Sequence, residues 1–203
     1  MKLFSAINEE EFSEKISNLF IQNNTENFIQ SSFILGVSGG SDSMALAYLF
    51  RNWSKVKHNE ILAVIIDHKL RSSSSFEAET TKKRLKKIGI NSIIFTLNPD
   101  RKSGIQEWAR FERFKIFLNI ALSKNSILVL AQNYEDQVET LMMRMNKNTG
   151  FIGAGGIKKF SIWHKVKIIR PLLDFPKERL ISTCKRNNIQ FINDPSNLDP
   201  KFE

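Results

Sequence analysis

The sequence holds a single cysteine, Cys184, among 203 residues. One thiol cannot close an internal disulfide, and it excludes a CxxC metal or redox pair. A reducing cytoplasm is the simplest expected setting. No apolar run approaches the roughly 20 residues that a membrane-spanning helix needs. No basic segment followed by an apolar core opens the chain, so no signal peptide is expected. Internal repeats and long low-complexity tracts are also missing. Acidic residues are in short supply, 21 against 30 lysines and arginines, for a net charge of +9. That excess suits a polyanionic partner such as nucleic acid. It also fits a generally basic proteome, since the chain is rich in Asn, Ile and Lys.

What is present reads as globular: 41% hydrophobic and 25% charged residues, with length for one α/β domain spanning 1–203. Residues 8–20 predict an amphipathic helix capped by Asn8, with Phe12, Ile16, Leu19 and Phe20 on one face. Short apolar runs at 33–37, 61–66, 92–97 and 127–131 predict buried strands. Helices are expected over 43–52, from the serines at 72–75 to Lys87, and over 135–145. Ser103 and Gln106 predict a capping box that opens a further helix to Leu122. A fifth strand is expected at 162–169 and a last helix at 176–187, with Pro176 near its start. The glycine-rich stretch 146–157 reads as a flexible loop. Strands alternating with helices imply a Rossmann-like α/β fold, a mainly parallel sheet with helices on both faces. Such sheets bind ligands beyond the carboxyl ends of their strands. The segments at 38–43, 67–71 and 132–140 all begin there, which favours a single site.

The most informative of these is Ser38-Gly39-Gly40-Ser41-Asp42-Ser43. Glycines permit close backbone approach, serines add hydroxyl donors, and the following helix aims free amides and its positive dipole end at the loop. Together they form a phosphate cradle. A carboxylate beside phosphate repels it unless a cation intervenes, so Asp42 is expected to help hold Mg²⁺. Without its neighbours, a Gly-Gly turn of this kind would be only a capped turn. The loop lacks GxxxxGK(S/T), so it is not the common P-loop. It resembles the PP-loop of ATP pyrophosphatases, the adenine nucleotide alpha hydrolase-like fold. Members cleave ATP between its α- and β-phosphates and transfer adenylate to an oxygen.

Five further segments sharpen the resemblance: DHKLR at 67–71, QEWARFER at 106–113, AQNYEDQVET at 131–140, RPLL at 170–173 and DPSN at 194–197. In this order they are similar to the signatures of tRNA-isoleucine lysidine synthetases. The sequence departs from that pattern where the family's two histidines appear as Gln132 and Asn133, and where its first aspartate appears as Glu135. Arg144 matches the family's arginine, but no glycine follows it. In the family the catalytic domain continues beyond DPSN, so a domain truncated before C-terminal tRNA-binding domains is expected.

The resemblance implies ATP-dependent attachment of L-lysine to carbon-2 of the wobble cytidine of an isoleucine tRNA with a CAU anticodon. An adenylated base is the intermediate, and decoding shifts from AUG to AUA. On that basis the loop residues 38–43 bind ATP, and Asp42, Arg110, Asp136 and Glu139 are catalytic candidates. His68, Arg71, Arg113, Asp136, Glu139, Arg144 and Arg170 are candidates for contacts to lysine or tRNA. Asp136 and Glu139 are expected to hold the α-ammonium of lysine, or else to serve only the helix start with Asn133 as cap. Arg110 and Arg113 offer bidentate phosphate or RNA contacts, or else lie on a solvated face opposite a stripe of Trp108, Phe111, Phe114 and Leu118. Val138, Leu141, Met142 and Met145 are read as core and Cys184 as a bystander. The basic run Lys82, Lys83, Arg84, Lys86 and Lys87 suits tRNA phosphates or a plain surface. The rivals are a PP-loop tRNA thiolase, whose iron–sulfur versions need several cysteines, and an inactive nucleotide- or RNA-binding module. The sequence leaves oligomeric state open, a homodimer included.

Overall fold

The computed structural model describes residues 4–24, 31–99, 103–146 and 155–193. The elements in chain order are α1 (Glu9–Gln22), β1 (Phe33–Val37), α2 (Ser41–Lys57), β2 (Ile61–Asp67), α3 (Ser74–Lys87), β3 (Asn91–Thr96) and α4 (Ile105–Ser123). They continue with β4 (Ile127–Val129), α5 (Tyr134–Asn146), β5 (Phe160–Trp163), β6 (Val166–Ile169) and α6 (Lys177–Arg186). The strands form one sheet in the order β3-β2-β1-β4-β6-β5. All neighbours pair in parallel except β5 with β6. The order turns back on itself between β1 and β4, which makes the crevice beyond their carboxyl ends the expected ligand site.

Alternation along the strands separates two cores. Phe33, Leu35 and Val37 of β1 face α1, α2, α3 and α6, in a cluster that includes Phe12, Phe50, Leu85 and Cys184. Ile34, with Val64, Leu128 and Ile168, faces α4 through Ala109, Phe117 and Ala121. Period-two alternation thus sends successive residues of one buried strand into different helix layers. Gly36 lets α4 come close, because a Cβ there would sit 2.9 Å from the Phe117 ring. An aromatic cluster locks the first layer: Phe50 meets Phe12, Phe33 and Trp53 at centroid separations of 6.4, 5.0 and 5.0 Å. Arg179 of α6 adds a fork to α1, donating to both Glu11 carboxylate oxygens at 2.8 and 2.7 Å.

The predicted elements form, with instructive differences. Asn8 caps α1 by accepting from the Glu11 N–H at 2.7 Å, as expected. The Ser103 capping box does not form: α4 starts at Ile105 after Gly104, which takes a left-handed conformation and offers no side-chain cap. The predicted strand 162–169 is a hairpin, β5 and β6, turning at His164 and Lys165. Both have positive φ, 45° and 68°, the geometry of a two-residue turn that glycine and asparagine usually supply. Neither residue type signals it. On α5, Met142 and Met145 are exposed, not core, and Val138 and Leu141 are half-buried. None of the apolar residues of this helix enters either core cluster. Most of the loop expected at 146–157 lies outside the described residues, as does DPSN at 194–197.

Replacing Phe50 by Ala removes a fully buried ring at the meeting point of α1, α2 and β1. A loss of about 3–5 kcal/mol is expected in urea or thermal unfolding.

Candidate active site

The loop between β1 and α2 is built around Gly39, whose φ of 91° is open to glycine but strained for other residues. A side chain there would also collide with the Thr81 hydroxyl of α3. The Ser43 hydroxyl holds the turn shut from inside. It accepts from the Ser38 and Gly39 N–H groups at 3.2 and 3.1 Å and donates to the Gly40 carbonyl at 3.1 Å. From outside, the Ile192 N–H donates to the Gly39 carbonyl at 2.8 Å, and the Cys184 thiol donates to the Ser41 carbonyl at 3.4 Å. Gly40 caps α2 in an ordinary extended conformation, φ −72° and ψ 170°. Its missing side chain faces open space: a Cβ at this position would meet only Ser38 Oγ, at 3.8 Å. The first glycine therefore shapes the turn, and the second leaves room for a ligand over the start of α2, where free amides favour an anion.

The loop opens into a cleft of about 910 Å³ lined by Ser38, Asp42, Ser43, His68, Arg110, Arg113, Gln132, Asp136, Arg144 and Arg170. A second lobe of about 580 Å³ shares His68, Arg110, Arg113, Gln132, Asp136 and Arg144 and adds Glu139. Candidates from five separate chain segments thus meet. Of the loop candidates, Gly39, Gly40 and Ser41 line neither lobe, and outside the loop Arg71 does not either: it pairs with Glu77 at 3.2 Å. The basic run of α3 lines neither lobe as well.

Several charges are held out of water here. Burial raises the Asp42 carboxyl above its ordinary value. The Ser41 hydroxyl and Lys177 oppose that, while the negative charges of Asp136 and Glu135 add to it. A cation or an ammonium group would relieve this crowding. Among the described residues no three His, Cys, Asp or Glu side chains cluster tightly enough to hold a metal ion alone. Asp42 therefore fits Mg²⁺ only in the manner of nucleotide sites, where one carboxylate shares the ion with substrate phosphates. Arg113 is half-buried, and burial together with Arg110 lowers its pKa, so the solvated-face alternative fails for it. Phe111, expected in the apolar stripe of α4, is exposed and lines the cleft instead. The apolar side of α4 is set by Ala109, Phe117 and Ala121.

Asp136 and Asn133 form a reciprocal cap: Asp136 Oδ2 accepts from the Asn133 N–H at 2.9 Å, and Asn133 Oδ1 accepts from the Asp136 N–H at 3.0 Å. The cap aims Asp136 into the cleft, so the capping and ligand readings are compatible. Glu135 faces elsewhere, accepting from the Lys177 N–H at 2.9 Å. Gln137 forms a two-way amide clamp on the backbone of Ile157, at 2.6 and 3.3 Å, which fixes the returning chain as a cleft wall. Arg170 donates to the Lys158 carbonyl at 2.9 Å and to Ser161 at 3.1 Å. Asp67 anchors the start of α3, accepting from the Ser74 hydroxyl, from Ser75 at 2.6 Å and from the Lys69 N–H at 3.1 Å. Burial alone would raise its pKa; these bonds outweigh burial and lower it. His68 follows Asp67 into the cleft. Burial and the nearby Arg113 lower its pKa below 6.5, and its Nδ1 is buried without a partner among the described residues. Sequence reasoning missed Thr81, Ile192, Cys184 and Gln137 as supports. Only Gln137, inside the segment at 131–140, carried a signal.

A glycine-hinged anion cradle at the turning point of a parallel sheet, facing a cleft lined by arginines and carboxylates, defines a phosphate-binding α/β protein. The chain belongs to the PP-loop domain family, whose sequence model matches residues 8–203. It is 36% identical over 175 residues to a tRNA(Ile)-lysidine synthase of Rhodopseudomonas palustris, covering 84% of this chain and 51% of that protein. It is 32% identical over 197 residues to the tRNA(Ile)-lysidine synthase of Rickettsia conorii, covering 95% of this chain and 40% of that protein. The chain thus spans about half the length, or less, of these curated relatives. A solved U34-tRNA thiolase from Methanococcus maripaludis, carrying a 4Fe–4S cluster, superimposes with a TM-score of 0.73 at 18% identity, over 92% of this chain and 67% of that one. An NH3-dependent NAD synthetase from Campylobacter jejuni gives 0.56 at 17% identity, over 98% and 79%. These two likenesses show the shared fold.

Three measurements test the site geometry. Gly39→Ala is expected to destabilise the protein by about 1–3 kcal/mol through strain and the Thr81 collision. Gly40→Ala should cost under about 1 kcal/mol in unfolding, a helix-cap effect, yet weaken nucleotide binding in calorimetry. For His68, an NMR titration should give a pKa below 6.5. Arg113→Gln should move it upward, because a positive neighbour that disfavours protonation is gone.

Proposed function

We propose that this chain carries the catalytic site of a tRNA(Ile)-lysidine synthase, joining L-lysine to carbon-2 of the wobble cytidine of a CAU-anticodon isoleucine tRNA at the expense of ATP. The observation that carries the reading is that phosphate loop, arginine wall and the Asp136–Glu139 carboxylates share one bilobed cleft. The curated relatives bear this name.

Residues 38–43 cradle the ATP phosphates, with Gly40 leaving room and the amides of α2 supplying donors. Asp42 would help hold Mg²⁺, which when bound would supply positive charge to offset that of the leaving pyrophosphate. Arg110, Arg113, Arg144 and Arg170 line the large lobe. There they offset the charge that builds as the base oxygen attacks the α-phosphorus and pyrophosphate leaves. Asp136 and Glu139 hold the α-ammonium of lysine in the smaller lobe. This orients its ε-amine toward carbon-2, from which AMP departs as the carbon–nitrogen bond forms and the amine nitrogen gives up a proton to water. Gln132 and Asn133 do not titrate, so neither moves a proton in this scheme. The thiolase chemistry of the structural neighbour finds no second thiol here, since Cys184 is the only one.

In the full-length protein, Asp42→Asn should lower tRNA-dependent ATP–pyrophosphate exchange by about 10²–10³-fold; undiminished exchange would overturn the magnesium role. Glu139→Ala should raise the lysine KM by about 10- to 100-fold and leave exchange nearly intact. An unchanged KM places the amino-acid site elsewhere. Absence of lysine-dependent AMP release from the wild type would refute the function itself.

A further inference from the structure

At the lip of the large lobe, aromatic surface lies where the reaction scheme above has no use for it. Phe111 is 66% exposed and Trp163 is 54% exposed. Phe111 and Phe114 line the lobe. Phe114 meets Trp163 edge to face at a centroid separation of 6.3 Å, which joins α4 to the β5–β6 hairpin. Phe114 thus ties Trp163 to the cleft wall, and Phe111 lies one turn before it on α4. Cations flank this aromatic surface: Arg110 and Lys158 line the same lobe, and Lys115 lies on the next turn of α4. The acidic groups nearby are Glu107, on the lobe wall, and Glu112, 3.7 Å from Lys115.

We propose that Phe111, Phe114 and Trp163 form a stacking shelf for an unpaired RNA base next to the nucleotide that enters the cleft. This rests on the tRNA-substrate reading above and deepens it. Single-stranded RNA is recognised by splayed bases stacked on aromatic rings while basic side chains follow the backbone. The shelf offers both, and a base drawn into the cleft leaves its neighbour unstacked at this lip. A second copy of the chain is a poorer occupant, because a self-complementary contact would press this cationic rim against itself.

The test uses the full-length protein and an RNA hairpin whose loop carries CAU. Trp163→Ala should weaken hairpin binding by about 5- to 150-fold, the range that one base–aromatic stack is worth. Trp163→Phe should restore most of that loss, and ATP affinity should be the same in all three proteins. Moving an abasic site through the loop should reveal one position, flanking the cytidine, where wild type loses the same factor and Trp163→Ala loses little more. If wild type binds the hairpin and Trp163→Ala binds it equally well, the shelf is overturned and the tRNA reading stands. A change confined to self-association in sedimentation also overturns the shelf, in favour of a second copy. If wild type binds ATP but not the hairpin, the tRNA reading falls and the shelf with it.

Discussion

The left-handed turn at Gly39 is the constraint on which the site depends. A loop of six residues must present backbone amides outward, and it cannot do so while satisfying itself through regular secondary structure. It is held from three sides instead. Thr81 of α3 fills the space under the missing side chain, Ile192 donates to the Gly39 carbonyl, and Ser43 bonds the turn internally. Residues far apart in the chain thus fix one local conformation, and the rigidity of the cradle is a property of the tertiary fold.

Because the loop brings no lysine of its own, positive charge has to arrive from elsewhere. It comes from α4, α5 and the residue after β6, as Arg110, Arg113, Arg144 and Arg170. The parallel sheet makes this possible, since β1, β2, β4 and β6 all point their carboxyl ends at the same crevice. Negative charge is placed with equal economy. Asp42 and Asp136 feel one another across the mouth of the loop, a crowding that a cation would relieve. The net charge of the chain is large, yet only a few of its arginines line this cleft, and of these Arg113 and Arg170 are held partly out of water.

Much of this was legible in the sequence. Short buried strands followed by glycine, histidine or amide-bearing segments marked the strand ends, and a parallel sheet gathers strand ends without further information. Asn8 as a cap and the apolar face of α1 were readable for the same reason: their partners lie within a few residues. The misreadings share the opposite cause. Ser103 failed as a cap because a left-handed Gly104 opens α4 in its place. Phe111 and Met142 looked like core because helical periodicity cannot tell a buried apolar face from one that borders a cleft or the edge of the fold. The turn at His164 and Lys165 was invisible because sheet pairing, not residue preference, imposes it. Arg71 shares a segment with His68, but its pairing with Glu77 turns it away.

Cys184 lies directly under the cradle. Burial, and then the charge of Asp42, push its thiol up to about 12, so at neutral pH the thiolate fraction is on the order of one part in 10⁵. Oxidants and electrophiles attack thiolates, so the sole sulfhydryl of the chain is chemically silent despite sitting within a hydrogen bond of the loop.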